Sequence, residues 1–100
     1  MAMHDPPHPG AFIREIYIQP FALSARQVAA NLDVSPSTLN RLLNGESGVS
    51  PEMALRLSKA LGRTPESWMA MQDQYDLWHA QQRVDLQAVK KVVLSAAGGG

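Results

Sequence analysis

The chain has 100 residues, 45% hydrophobic and 18% charged, with nine basic residues balanced by nine acidic ones and no cysteine. This is the size of one domain with tails, able to bury a core with little stability to spare. It excludes disulfides and thiol catalysis, gives no global field to draw the protein onto a polyanion, and offers no apolar run near the ~20 residues that a membrane span needs. The N-terminal MAMHDPPHPG lacks a basic-then-apolar export signal, so the cytoplasm is the expected compartment.

Residues 1–8 are stiffened by proline and hold little to bury, which reads as an extended arm. Pro9 and Gly10 open a first helix running to about Ile18, with Phe12, Ile13 and Ile16 inward and Arg14 and Glu15 outward; Pro20 prevents its continuation. Ser24 caps a second helix, and Gln27 three residues on completes a capping-box pattern. Val28, Ala29 and Leu32 form its inner face, Ala29 being small enough to let a neighbouring helix come close. Asn31 to Val34 must turn tightly, because Ser35-Pro36 starts a third helix at once: a serine N-cap, then proline where a missing N–H costs nothing.

That third helix, SPSTLNRLLNG at 35–45, is the centre of the reading. Leu39, Leu42 and Leu43 form a narrow apolar stripe, and Gly45 ends the helix. The other face carries Ser37, Thr38, Asn40, Arg41 and Asn44, short hydrogen-bonding groups rather than the Glu and Lys of a merely soluble surface. Taken alone it is equally an ordinary capped amphipathic helix. Two short helices joined by a tight turn, the second polar on its outer face, make the helix-turn-helix pattern, whose second helix lies in the major groove of DNA.

Ser50-Pro51 and Thr64-Pro65 repeat the cap-then-proline signal and open a fourth helix, ended by Gly62, and a fifth reaching about Gln82. Met53, Ala54, Leu57 and Leu61 face inward on the fourth, with Arg56 and Lys59 turned away. Trp68, Met71, Tyr75 and Trp78 form an aromatic stripe on the fifth. Four short helices offer limited cover for both tryptophans, so the distal part, Tyr75, Leu77 and Trp78, is the expected contact with a second copy. Residues 83–94 hold Val84, Leu86, Val89, Val92 and Val93 and are expected to dock or to contact the dimer mate, as a short helix or a strand; 95–100 are expected to be disordered.

With residues 8–80 laid out, the sequence resembles the HigA antitoxins, a branch of the repressor-like (XRE) helix-turn-helix group that includes the phage λ and 434 repressors. The matching stretches are HPG at 8–10, SARQVAANLDVSPSTLNRLLNG at 24–45, VSPEMALRLSKALG at 49–62 and TPESWMAMQDQYDL at 64–77. The resemblance implies an all-α, five-helix repressor-like domain over residues 9–82 and a homodimer. It implies two tasks: binding an RelE-like HigB toxin that cuts mRNA, and repressing the toxin–antitoxin operon at an operator with an inverted repeat. It implies that Pro36, Ser37, Asn40 and Arg41 lie nearest base edges, Arg41 as the candidate for a bidentate contact to guanine and Asn40 for adenine. Arg26, Gln27, Ser35, Thr38, Asn44, Gly45 with the backbone after it, and Ser47 become candidates for the DNA backbone.

Two positions depart from the family. Asp33 stands where relatives usually have glycine in the turn, so slight strain or a shifted turn is expected. Ala25 stands where many DNA-binding relatives place a phosphate-reaching glutamine. From Ser24 to Arg63 the charges leave an excess of two positive, and Glu46 sits beside the expected groove; single-chain binding should be weak and pairing of two copies essential. Catalysis is not expected. His4 and His8 lie in the arm, His79 and Asp76 do not make a catalytic set, and neither metal nor cofactor is implied. The rival readings are a stand-alone regulator without toxin, and an interaction module that has lost DNA binding.

Overall fold

The computed structural model describes residues 5–95. It is all-α among those residues: α1 (Pro9–Ile13), α2 (Ala25–Leu32), α3 (Pro36–Leu43), α4 (Pro51–Leu61) and α5 (Pro65–Arg83). The first helix continues without a break into a π-helical turn, Arg14–Ile18, in which Gln19 N–H donates to the Arg14 carbonyl at 2.9 Å. That wider turn rotates the following side chains. Ile16, expected inside, is 48% exposed, while Ile18 is buried and Tyr17 packs against the core. The α-helical spacing predicted the wrong isoleucine because the register changes between them.

Every helix start obeys its cap. Ser24, Ser35, Ser50 and Thr64 each accept, through the side-chain oxygen, the backbone N–H three residues on. His8 does the same for α1 with ring Nδ1, accepting from Gly10 N–H at 2.9 Å. The capped helices pack α1 on α3 and α5, α2 on α3 and α4, and α4 on α5. Their inner faces make one core in which Ile13, Leu39, Leu42, Leu57 and Trp68 are fully buried, each contributing about 1.5–3 kcal/mol. Ala29 is fully buried as expected. Gly10 marks the closest crossing, for a Cβ there would collide with the Leu42 carbonyl oxygen.

The turn between α2 and α3 keeps its shape despite Asp33. That residue adopts the left-handed conformation a glycine would take, with φ 58° and ψ 45°, and Val34 N–H donates to the Ala29 carbonyl across it. Arg56 braces the turn. Its guanidinium donates to the carbonyls of Leu32 (2.9 Å) and Asp33 (3.0 Å) and pairs with Glu52 on its own helix. The expectation that Arg56 simply faces away is therefore corrected.

On α5, Trp68 is fully buried, with Nε1 donating to the Gly62 carbonyl at 2.9 Å, whereas Tyr75 and Trp78 are half-buried and Leu77 is exposed. Residues 84–95 form neither the helix nor the strand considered, and each is exposed. The Asp85 carboxylate accepts from Gln87 N–H and closes a turn rather than starting a helix. Docking of this segment onto its own domain is thus corrected: it leaves the body, and the molecule measures 61 × 27 × 24 Å. The expected disordered tail lies outside the described residues except for Ser95.

Candidate nucleic-acid interface

The geometry of α3 follows from its two ends. Ser35 Oγ accepts from Thr38 N–H at 3.1 Å and shares a 2.9 Å hydrogen bond with the Thr38 hydroxyl, fixing the first turn. Leu39, Leu42 and Leu43 seat the helix on the core. Pro36, Ser37, Asn40 and Arg41 are then all exposed, on the face turned from the core. Eight residues span about 12 Å, short enough for a single major groove.

The C-terminal end is closed from within. Gly45 has φ 76°, and its N–H donates to the Leu42 carbonyl, while the N–H groups of Glu46 and Ser47 both donate to the Arg41 carbonyl at 2.8 and 3.3 Å. The backbone amides at 45–47, expected to face a phosphate, are spent on the helix end. At 47 only the hydroxyl is left as a donor, on a half-buried residue. Asn44 is exposed, and its Oδ1 accepts from Arg14 Nη2 at 3.2 Å. Arg26 and Gln27 are exposed at the start of α2, and Ala25 packs partly against the core.

Three residues of this region escaped the sequence reading. Arg14 is brought beside Asn44 by the α1–α3 crossing, thirty residues away in sequence. Gln72 is buried on α5. Its Oε1 accepts from Val49 N–H at 2.8 Å and its Nε2 donates to Asp76 Oδ1 at 3.0 Å, which fastens the loop after α3 to α5. A signal existed, since Gln72 stands four residues after Trp68 on the same face. His8 was assigned to a free arm, yet it packs edge-on against Tyr75 at 4.8 Å and faces the Ser47 carbonyl. Burial lowers its pKa from 6.5, against the opposing pull of that carbonyl and of Asp76. The sequence signal was the His-Pro pair, which repeats the Ser/Thr-Pro punctuation.

The electrostatics are leaner than the sequence count. Arg56 is tied to Glu52 and the α2 end, with its pKa raised mainly by the Glu52 hydrogen bond. Arg63 lies over the rings of Phe12 and Trp68 at 5.2 and 5.8 Å. On the α3 side the positive charge comes from Arg14, Arg26 and Arg41, with Glu46 opposing. Among the described residues no cluster of His, Asp and Glu could hold a metal ion, and no helix is long and apolar enough to cross a membrane.

The helix-turn-helix family model matches residues 13–68. The chain is similar to the HTH-type transcriptional regulator YddM of Escherichia coli K12, 34% identical over 93 residues, which cover 93% of this chain and 98% of YddM. It is similar to Antitoxin HigA-1 of Vibrio cholerae, 30% identical over 79% of this chain and 74% of that one. Among solved structures, antitoxin GraA superposes with a TM-score of 0.84 at 37% identity, over 91% of this chain and all of GraA. GraA in complex with its operator gives 0.83 at 36%, over 94% and 98%. The chain therefore belongs to the XRE-type helix-turn-helix family, in the branch that holds the HigA and GraA antitoxins.

Proposed function

We propose that this chain is an antitoxin that represses its own operon by binding an inverted-repeat operator as a homodimer, and that it neutralises an RelE-like toxin of the HigB kind. The observation that carries the DNA half is the exposure of Pro36, Ser37, Asn40 and Arg41 together on a capped, rigidly seated α3. The similarity to antitoxin GraA in complex with its operator supports DNA binding by this fold. Arg41 reads guanine and Asn40 adenine in this proposal, with Pro36 and Ser37 against the base edges. Arg26, Gln27, Ser35, Thr38 and the Ser47 hydroxyl line the sugar-phosphate backbone, and Gly45, whose N–H closes the helix end, drops out of that set. Asn44 joins them as the hydrogen-bonded partner of Arg14, which adds a cation that the sequence reading omitted. The homodimer forms through the distal part of α5, at Tyr75, Leu77 and Trp78. The toxin half rests on the resemblance to HigA antitoxins, including HigA-1.

The test is a mobility shift on the promoter upstream of the chain's own gene, across a salt series, with and without the product of the adjacent gene. Phosphate contacts require affinity to fall with salt, by a slope of about 0.9 per contact on a double-logarithmic plot. A specific shift with that slope, altered when the neighbouring product binds, supports the antitoxin reading. A specific shift indifferent to any neighbouring product favours a stand-alone regulator. No shift favours an interaction module, a reading kept in view by the internal use of Arg56 and Arg63.

A further inference from the structure

The strongest unexplained feature of the surface is a matched pair. One member is the segment after α5, whose Val84, Leu86, Val89, Val92, Val93 and Leu94 are all exposed, Val93 by 90%, around the basic pair Lys90-Lys91. The other is an open apolar groove of about 400 Å³ between α4 and α5, floored by Ala54, Met69 and Ala70 and walled by Leu55, itself 60% exposed. Glu66 and Asp73 stand on its rim, and among the described residues neither is in an ion pair. Apolar surface left open beside a groove is uncommon on a finished monomer and marks an interaction site.

We infer that the 84–94 segment of one copy lies in the α4–α5 groove of a second copy, its valines on Leu55, Met69 and Ala70 and its lysines against Glu66 and Asp73. The inference rests on the homodimer proposed above and names what completes it. Length does not confine the segment to its own body, since eleven extended residues span about 36 Å against about 28 Å for α5. The direction favours exchange, because the segment runs away from its own body instead of folding back on it. Area favours it too. A stable interface buries at least about 1,200 Å². Of the α5 residues proposed for contact only Leu77 is well exposed, Tyr75 being already stacked on His8 and His79. Two exchanged segments in two grooves supply the missing apolar surface symmetrically.

The chain has no cysteine, so single-cysteine variants of the full chain report the contact directly. Ala70→Cys and Val92→Cys, carried on chains of different mass and mixed, should form a disulfide between unlike chains under mild oxidation, in protein that sediments as a dimer. Lys90→Glu with Lys91→Glu should weaken the dimer about tenfold, and adding Glu66→Lys with Asp73→Lys should restore it. A dimer with no 70–92 cross-link, or with the cross-link only within one chain bearing both cysteines, overturns the exchange and leaves the homodimer standing. So does a charge reversal that the second pair fails to restore. A chain that stays monomeric at tens of micromolar overturns both.

Discussion

Arg41 carries the most specific chemistry of the proposed interface, and it is exposed where its guanidinium is free to turn toward a base edge. If it reads guanine, Arg41→Ala costs about 1–3 kcal/mol on the matched operator and little on one with that base changed; a phosphate contact would weaken both equally. Parallel titrations of the two duplexes separate these cases. His8 supplies the second residue-scale prediction. Its Nδ1 must stay unprotonated to accept from Gly10 N–H, and burial holds its folded pKa below the 6.5 of the free side chain. The unfolded chain therefore takes up the proton first as pH falls. The stability this residue provides is fully present above about pH 6.5 and is lost as pH drops through 6.5 toward the folded pKa. Urea midpoints between pH 7.5 and 5 should fall more for the parent than for His8→Asn, which keeps a capping oxygen but cannot titrate in that range.

Two contacts between elements set the attitude of α3. The first is the α1–α3 crossing at Gly10, where a methyl group would meet the backbone carbonyl of Leu42, which cannot swing aside as a side chain could. Gly10→Ala should cost about 3 kcal/mol, the upper range for overpacking, read as a shift in urea midpoint at unchanged slope. The second is Gln72, the buried clasp on Val49 N–H. Gln72→Leu conserves much of the volume but strands that N–H, and should cost about 1–3 kcal/mol. Because Gly48 lies against the Gln72 amide, the same variant should loosen the loop after α3, seen as faster amide exchange from Gly48 to Ser50. The π-helical turn belongs to this scale as well. With that turn in place, Ile18 rather than Ile16 enters the core.

At the scale of the molecule the governing fact is a shortage of positive charge. With zero net charge and two arginines committed internally, one copy of α3 should hold DNA weakly. In the proposed homodimer, two copies facing one side of a duplex about 34 Å apart would overcome this by avidity. Inserting five base pairs between half-sites turns one half-site to the opposite face, and should lower affinity to near that of a single half-site. Footprinting on the lengthened and parent operators checks it. Equal protection of both would mean that the chains bind independently.

How much of this was legible beforehand differs by kind of information. The cap positions, the helix order and the inner stripes of α2, α3 and α4 could be read from the chain, because each depends on residues three or four apart. Ser35 capping Thr38 N–H needs nothing beyond its own turn. The face of α3 left outward follows from the same spacing. What the chain alone did not reveal is every feature joining distant residues: Arg14 on Asn44, Arg56 on the Asp33 carbonyl, Gln72 on Val49 and His8 on Tyr75. Those depend on where whole helices cross, which is settled by the packing of the entire core. Asp33 shows the limit from the other side. Its left-handed backbone was foreseen as a source of strain, yet it holds its place because Arg56, arriving from another helix, hydrogen-bonds the carbonyl there.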